Sequence, residues 1–137
     1  TDARTGLGLD EAIRRGKAFA AAGADIVFVE SPESEEEFKR VGGELAGGAK
    51  LLANMVPSGR SPVVAADKLK QFGFSIAIYP SAGMAPACAA MDASYRYLAE
   101  HGSTEGSPVP AYEMRRMHEL AGFEEVWAFE KRYVETS

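Results

Sequence analysis

Apolar and polar residues form two kinds of pattern along the chain, a helical period and short unbroken apolar runs. The apolar residues of positions 9–20 recur about every 3.6 residues, which predicts a helix over 10–22 that Gly23 ends. The next apolar run, Ile26–Val29, is unbroken and mostly β-branched, as is typical of a strand covered on both faces. Residues 1–8 are predicted to be a Gly-rich turn.

The same change from a helical pattern to a short apolar run repeats along the rest of the chain. Ser34 and Glu37 have capping-box spacing and predict a helix start, while Gly42 and Gly43 predict that this helix is short or kinked. The remaining predicted elements are a strand in KLLANMV (50–56), a helix over 65–72, a strand in FSIAIYPS (74–81), a helix over 84–101, a linker over 102–110 and two helices around Gly122.

Strict alternation of helices and strands predicts an α/β fold with a parallel sheet built from right-handed βαβ units. Two architectures fit, a doubly wound open sheet or part of a (β/α)₈ barrel. Three full strands are few for an open sheet. A complete barrel takes about 250 residues, so this chain of 137 residues would supply about half of one.

Composition excludes several classes of function. The net charge of −5 argues against a nucleic-acid surface, which needs a basic stripe. No apolar run approaches the roughly 20 residues that span a bilayer, so no membrane partner is expected. A single cysteine, Cys88, forms no intrachain disulfide and favours a reducing compartment, and the expected location is the cytoplasm.

In parallel α/β folds the ligands bind at the carboxyl ends of the strands, and this rule selects three candidates. Glu30 follows four apolar strand residues and could hold a metal-bound water, orient a substrate or act as a base; the alternative is a salt bridge. Asn54 could donate hydrogen bonds to a substrate carboxylate or anchor a loop to the backbone. Asp2, which with Arg4 stands at the first strand end, could serve the site or cap the following turn, and capping is favoured.

The remaining reactive side chains are assigned structural roles. His101 suits the end of a helix, and His118 lies on a late helix away from the strand ends. Cys88 stands among small residues early in a long helix and is interpreted as a packing residue.

Several stretches together resemble the isocitrate lyase / phosphoenolpyruvate mutase superfamily. They are TDAR, GLDEAIRRGKAFAAAGADIVFVES, LLANMV with Gly59 and Ser61-Pro62 after it, and GFSIAIYP, and they cover residues 1–100. The NMV stretch is closest to the branch of carboxyphosphoenolpyruvate mutase-, dimethylmalate lyase- and oxaloacetate decarboxylase-like enzymes.

The resemblance implies the C-terminal half of a TIM (β/α)₈ barrel over residues 1–101, with Thr1 inside the fifth strand, and a linker and extra helices over 102–137. The Asp pair that holds Mg²⁺, the loop with the catalytic cysteine and the substrate-binding arginine would precede Thr1, so Cys88 is not that cysteine. The helix over 84–101 would be the eighth, which is exchanged between subunits, and a homo-oligomer, a dimer of dimers, is expected.

The resemblance also assigns roles to single residues. Glu30 matches a catalytic glutamate, Asn54 with Val56 matches a substrate-carboxylate contact, and Asp2 is kept as a substrate-binding candidate; no metal ligand is expected in this chain. Ala85 stands where methylisocitrate lyase-like members have an arginine, which argues against a tricarboxylate substrate.

The implied function is a Mg²⁺-dependent C–C bond lyase or decarboxylase that acts on a small 2-oxo acid or malate-type di-acid through a pyruvate enolate. Two alternatives stay open. One is a P–C bond-forming phosphonomutase of the same superfamily, and the other is a non-catalytic half-barrel that serves as an oligomerisation module.

Overall fold

A computed structural model of the chain describes residues 1–133. Its internal contacts divide the chain into two units, the first from Thr1 to Pro86 and the second from Ala87 onward. The helices and strands, in chain order, are α1 (Ala3–Leu7), α2 (Leu9–Ala21), β1 (Ile26–Phe28), α3 (Glu35–Leu45), β2 (Lys50–Asn54), α4 (Ala66–Gln71), β3 (Ile76–Ile78), α5 (Met84–His101), α6 (Met114–Leu120) and α7 (Phe123–Tyr133).

A three-stranded parallel sheet in the order β1–β2–β3 forms the centre of the first unit. Phe28 of β1 lies opposite Leu52 of β2, which lies opposite Ile76 of β3. Thr1 extends the sheet beyond β1, because its amino group donates to the Phe28 carbonyl at 2.7 Å and its carbonyl accepts from the Glu30 amide at 3.0 Å. This pair of hydrogen bonds places Thr1 opposite Val29 in the pattern of a parallel ladder.

One face of the sheet carries the core of this unit. Side chains alternate between the faces of a strand, so every second residue of β1 and β2 points towards the helices. The buried residues from the strands and their ends are Val27, Val29, Leu51, Ala53 and Met55, and those from the helices include Ala12, Ile13, Phe38, Val41, Leu45 and Leu69.

The opposite face of the sheet leaves large apolar side chains exposed. Ile26 is 45% exposed and Ile78 is 39% exposed, and both lie on this face. The prediction that the first strand is buried on both faces is therefore wrong for the described chain. The apolar residues on this face indicate a surface that needs a cover, and we call this the open face.

The predicted helix boundaries are confirmed within one or two residues. Gly23 and Gly73, which follow α2 and α4, both have φ of +96°, the left-handed conformation of a helix-ending glycine. Ser34 caps α3, since its side chain accepts from the Glu37 amide at 3.2 Å. The short helix α1 was not predicted, because five residues with a glycine give no periodic signal.

Gly42 does not shorten α3, contrary to the expectation from its sequence. The helix continues to Leu45, and Gly42 is buried where α3 meets the carbonyl of Phe72. A Cβ atom at this position would lie 1.6 Å from that carbonyl oxygen. The glycine therefore allows a close approach between α3 and the end of α4.

The second unit contains most of α5 together with α6 and α7, and the structure describes no buried residue in these three helices. His101, the last residue of α5, stacks on Tyr97 with ring centroids 4.1 Å apart. His118 packs against Phe123 and Trp127. Cys88 is exposed, so its interpretation as a packing residue is wrong for the described residues. None of the helices described for residues 1–133 has the length and hydropathy needed to cross a membrane.

We expect Gly42→Ala to lower the free energy of unfolding by about 1–3 kcal/mol, because the new methyl group must displace the Phe72 carbonyl. Gly43→Ala is the matched control, since a Cβ there meets nothing within 4 Å. It should raise the free energy of unfolding by up to about 1 kcal/mol through helix propensity. Urea unfolding measures both, and equal effects of the two variants would contradict the close approach.

Candidate active site

Glu30 and Asn54 occupy neighbouring positions at the carboxyl ends of β1 and β2. Phe28 pairs with Leu52, so the residues two positions further along, Glu30 and Asn54, share the next level of the sheet on the same face. Ile78 of β3 completes this level, since it lies opposite Asn54. Adjacent strands lie about 4.8 Å apart, so the backbones of Glu30 and Asn54 lie side by side at this end of the sheet.

Asp2 lies at the same end of the sheet, since it directly follows Thr1, which pairs with Val29. Its φ of −93° and ψ of 8° are not those of a strand, so the ladder ends at Thr1 and α1 begins after Asp2. The predicted cap is wrong, because the Asp2 side chain makes no capping hydrogen bond and the Thr1 hydroxyl instead accepts from the Ala3 amide at 3.2 Å. Asp2 is exposed. We call the three candidate residues at this end of the sheet, Asp2, Glu30 and Asn54, the polar row.

Glu30 is half-buried and its backbone is fixed by the hydrogen bond to Thr1. The Ser31 hydroxyl donates to Glu30 Oε1 at 3.2 Å. Glu30 forms no ion pair with the part of the chain that the structure describes, so the alternative interpretation as a salt-bridge partner finds no support there. One carboxylate oxygen is thus held by a neighbouring hydroxyl.

Asn54 ends β2 with its amide oxygen buried. Within residues 1–133, Oδ1 has no hydrogen-bond partner, so this oxygen anchors no loop to the backbone. Leaving a buried amide oxygen unpaired costs about 1–3 kcal/mol, and such positions are often functional. Val56 lies two residues further on the same face, half-buried, and its carbonyl accepts from the Gly59 amide at 3.0 Å to start the following loop.

Arg4, the second residue of α1, forms structural ion pairs near the polar row. Its guanidinium donates to both carboxylate oxygens of Glu37, at 2.7 and 2.8 Å, and to Glu33 at 2.8 Å. These hydrogen bonds from Arg4 hold the pKa of Glu37 below its ordinary value. The pairs join α1 to the start of α3. Sequence reasoning missed them because the partners stand 33 and 29 residues away along the chain.

The described residues do not form a magnesium site. Among residues 1–133 there is no group of three or more His, Cys, Asp or Glu side chains that could hold a metal ion. The polar row offers two carboxylates from its own strand ends and no third one.

Comparison with known proteins identifies the family. The sequence profile of the family described as phosphoenolpyruvate phosphomutase matches residues 2–99, well over half of the chain. The chain belongs to this family. The predicted membership in the isocitrate lyase / phosphoenolpyruvate mutase superfamily is thereby confirmed.

Curated relatives of this phosphoenolpyruvate phosphomutase family chain include two lyases. It is 41% identical over 133 residues to 2,3-dimethylmalate lyase of Eubacterium barkeri, covering 97% of this chain and 45% of that protein. It is 32% identical over 136 residues to 2-methylisocitrate lyase of Bacillus subtilis (strain 168), covering 99% and 44%. The chain therefore spans about half the length of the curated relatives it matches.

Solved structures of the superfamily have the same fold over the same share of their length. The crystal structure of oxaloacetate acetylhydrolase superposes with a TM-score of 0.84 at 32% identity and covers 98% of this chain and 46% of that one. Phosphonopyruvate hydrolase in complex with oxalate and Mg²⁺ superposes with a TM-score of 0.77 at 27% identity, covering 95% and 46%. The α/β fold with its parallel sheet is thus the family's fold.

The ion pair of Glu37 makes stability depend on pH in a defined direction. Because the pKa of Glu37 is lowered on folding, its contribution is complete above the ordinary carboxyl pKa of 4.5 and is lost as pH falls through the lower folded value. We expect Glu37→Gln to lower Tm by about 2–4 °C at pH 7 and by much less at pH 3. Thermal unfolding at both pH values tests this, with Glu113→Gln, an exposed carboxylate outside the ion pairs of residues 1–133, as the control. A difference that is the same at both pH values would contradict the ion pair.

Proposed function

We propose that the protein to which this chain belongs is a carbon–carbon lyase that acts on a small malate-type di-acid or 2-oxo acid, with the chain forming the C-terminal half of its (β/α)₈ barrel. The observation that carries the proposal is the polar row, since it stands at the carboxyl ends of parallel strands, where barrel enzymes bind their substrates. Similarity to two lyases and an acetylhydrolase supports this reaction class.

The proposed reaction breaks the bond between C2 and C3 of the substrate. With a malate-type di-acid, the C2 hydroxyl loses its proton and becomes the carbonyl of a 2-oxo acid. The electron pair of the broken bond passes to C3, where the adjacent carboxylate stabilises it until C3 takes a proton. With a 2-oxo di-acid that loses CO₂, the bond between C3 and C4 breaks instead, and its electron pair gives the enolate of pyruvate, which then takes a proton at C3.

In this scheme Glu30 accepts the proton of the substrate hydroxyl or orients that hydroxyl. Its position beside Asn54 supports the role. The Asn54 amide would donate to a carboxylate of the substrate, while the Glu30 carboxylate would accept from the hydroxyl on C2. Val56 and Asp2 would border the bound substrate on either side of this pair. The side chain of Ala85 has no donor that could bind a third substrate carboxylate, which favours a di-acid over a tricarboxylate.

The proposal includes Mg²⁺, which a related phosphonopyruvate hydrolase binds together with oxalate. Its ligands would come from the other half of the barrel, because the described residues form no metal site. When bound, the ion would supply charge stabilisation at the substrate oxygens.

The proposed assembly is a cytoplasmic homo-oligomer, a dimer of dimers, in which α5 is exchanged between subunits. The exposure of α5 supports it, since the structure describes no buried residue in this helix. Met84, Met91, Tyr95 and Leu98 are large apolar residues that it exposes.

A second candidate function is the formation or cleavage of a P–C bond. The family profile is described as phosphoenolpyruvate phosphomutase, and a phosphonopyruvate hydrolase shares the fold. Assays of the full-length protein separate the candidates: release of a 2-oxo acid from 2,3-dimethylmalate, 2-methylisocitrate or oxaloacetate supports the lyase, and turnover of phosphonopyruvate alone supports the alternative. No turnover of any of them by the full-length protein would favour a non-catalytic oligomerisation module.

We expect Glu30→Gln to lower kcat/KM of the full-length protein by about 10²–10⁴, because the amide cannot accept the hydroxyl proton. The control is Asp25→Asn, an exposed carboxylate just before the other end of β1, which should leave kcat/KM within about twofold. Steady-state kinetics on the substrate found above measures both. Full activity of Glu30→Gln would remove Glu30 from the mechanism.

Asn54→Leu should weaken substrate binding and, at the same time, stabilise the fold. Loss of hydrogen bonds to a carboxylate lowers kcat/KM by about 10–100-fold, and removal of the unpaired Oδ1 raises the free energy of unfolding by about 1 kcal/mol. Kinetics and urea unfolding of the full-length protein test both effects. A destabilised variant with unchanged kinetics would show instead that Asn54 is a structural anchor.

A further inference from the structure

Ser31, which directly follows Glu30, has an unusual backbone conformation. Its φ is +58°, in the left-handed region that non-glycine residues seldom adopt and that favours Asn and Asp among them. The next residue, Pro32, is buried, and a proline normally holds the residue before it in an extended conformation. Strained backbone of this kind tends to persist where function requires the geometry.

The side chain of Ser31 makes a specific contact from this conformation. Its hydroxyl donates to Glu30 Oε1 at 3.2 Å, while the Glu30 amide is held by the Thr1 carbonyl at 3.0 Å. The hydrogen bonds described for residues 1–133 include none to the second carboxylate oxygen, Oε2. The serine therefore fixes one oxygen of the carboxylate and leaves the other for a ligand.

We propose that Ser31 is a positioning residue, which holds the Glu30 carboxylate in its reactive orientation through the hydroxyl and through the left-handed turn after β1. This inference rests on the proposed function of Glu30. A glutamate side chain has three rotatable bonds, and a donor on the adjacent residue reduces the orientations that the carboxylate samples before substrate binds.

The left-handed turn contributes separately from the hydroxyl. An extended residue at position 31 would continue the path of β1 and carry its side chain to the other side of the strand, away from the Glu30 carboxylate. With φ at +58°, the path of β1 ends at once and the hydroxyl returns to the carboxylate. Glycine at this position keeps the turn and removes only the hydroxyl.

The test uses the full-length protein and a double-mutant cycle between positions 30 and 31. Ser31→Gly should lower kcat by about tenfold with KM changed less than threefold, because a hydrogen bond to a charged group is lost while the turn is kept. Its Tm should not fall, since glycine relieves the positive φ. In the Glu30→Gln background, Ser31→Gly should change kcat by less than twofold, because the residue acts through the carboxylate.

Ser34→Ala is the matched control, a serine three residues further on whose hydroxyl caps α3. It should lower Tm without changing kcat. A kcat for Ser31→Gly equal to that of the unmodified protein, or a full tenfold loss in the Glu30→Gln background, would overturn the proposal.

The outcome is distinguishable from a failure of the proposed function. If Glu30→Gln alone leaves activity unchanged, Glu30 has no catalytic role and the inference about Ser31 falls with it. If Glu30→Gln is inactive and Ser31→Gly is fully active, the proposed function stands and only the inference about Ser31 is wrong.

Discussion

The parallel register of Thr1, β1 and β2 is the constraint on which the candidate site depends. Two backbone hydrogen bonds hold Thr1 opposite Val29, and the ladder between the strands holds Phe28 opposite Leu52. Because the side-chain period of a strand is two, a slip of one residue would send Glu30 to the helix face, among buried apolar groups. The buried residues Val27, Val29, Leu51 and Ala53 oppose such a slip, so the hydrophobic core of one face fixes the polar row on the other.

The two faces of the sheet differ in packing and in polarity. The helix face is packed and carries the stability of the first unit, with Gly42 allowing α3 to reach the Phe72 carbonyl. On the open face, apolar residues lie along the strands and the polar row lies at the carboxyl ends of the strands. The paired positions on this face are Phe28, Leu52 and Ile76, and then Asn54 and Ile78.

Electrostatic contacts around the polar row separate structural charges from candidate functional ones. Arg4 and Glu37 satisfy each other through two hydrogen bonds and hold α1 against α3, directly after Asp2. Glu30, in contrast, has a hydroxyl neighbour but no ion pair among residues 1–133, and the oxygen of Asn54 is unpaired there. Glu30 and Asn54 therefore differ from Arg4 and Glu37, whose charged groups satisfy each other within the described residues.

The sequence by itself determined the order of the elements from α2 onward, the helix ends at Gly23 and Gly73, the cap at Ser34 and the family. Each of these depends on residues close together in the chain or on recurring strings. It also selected Glu30 and Asn54, since polar residues that end apolar strands are visible in the sequence.

Only the tertiary structure decided that Gly42 is a contact point, that Arg4 pairs with Glu37 and that Asp2 forms no cap. It likewise decided that Glu30 and Asn54 follow paired strand positions, and that Ser31 turns back to Glu30. These features depend on register and on contacts about 30 residues apart, which local patterns do not encode.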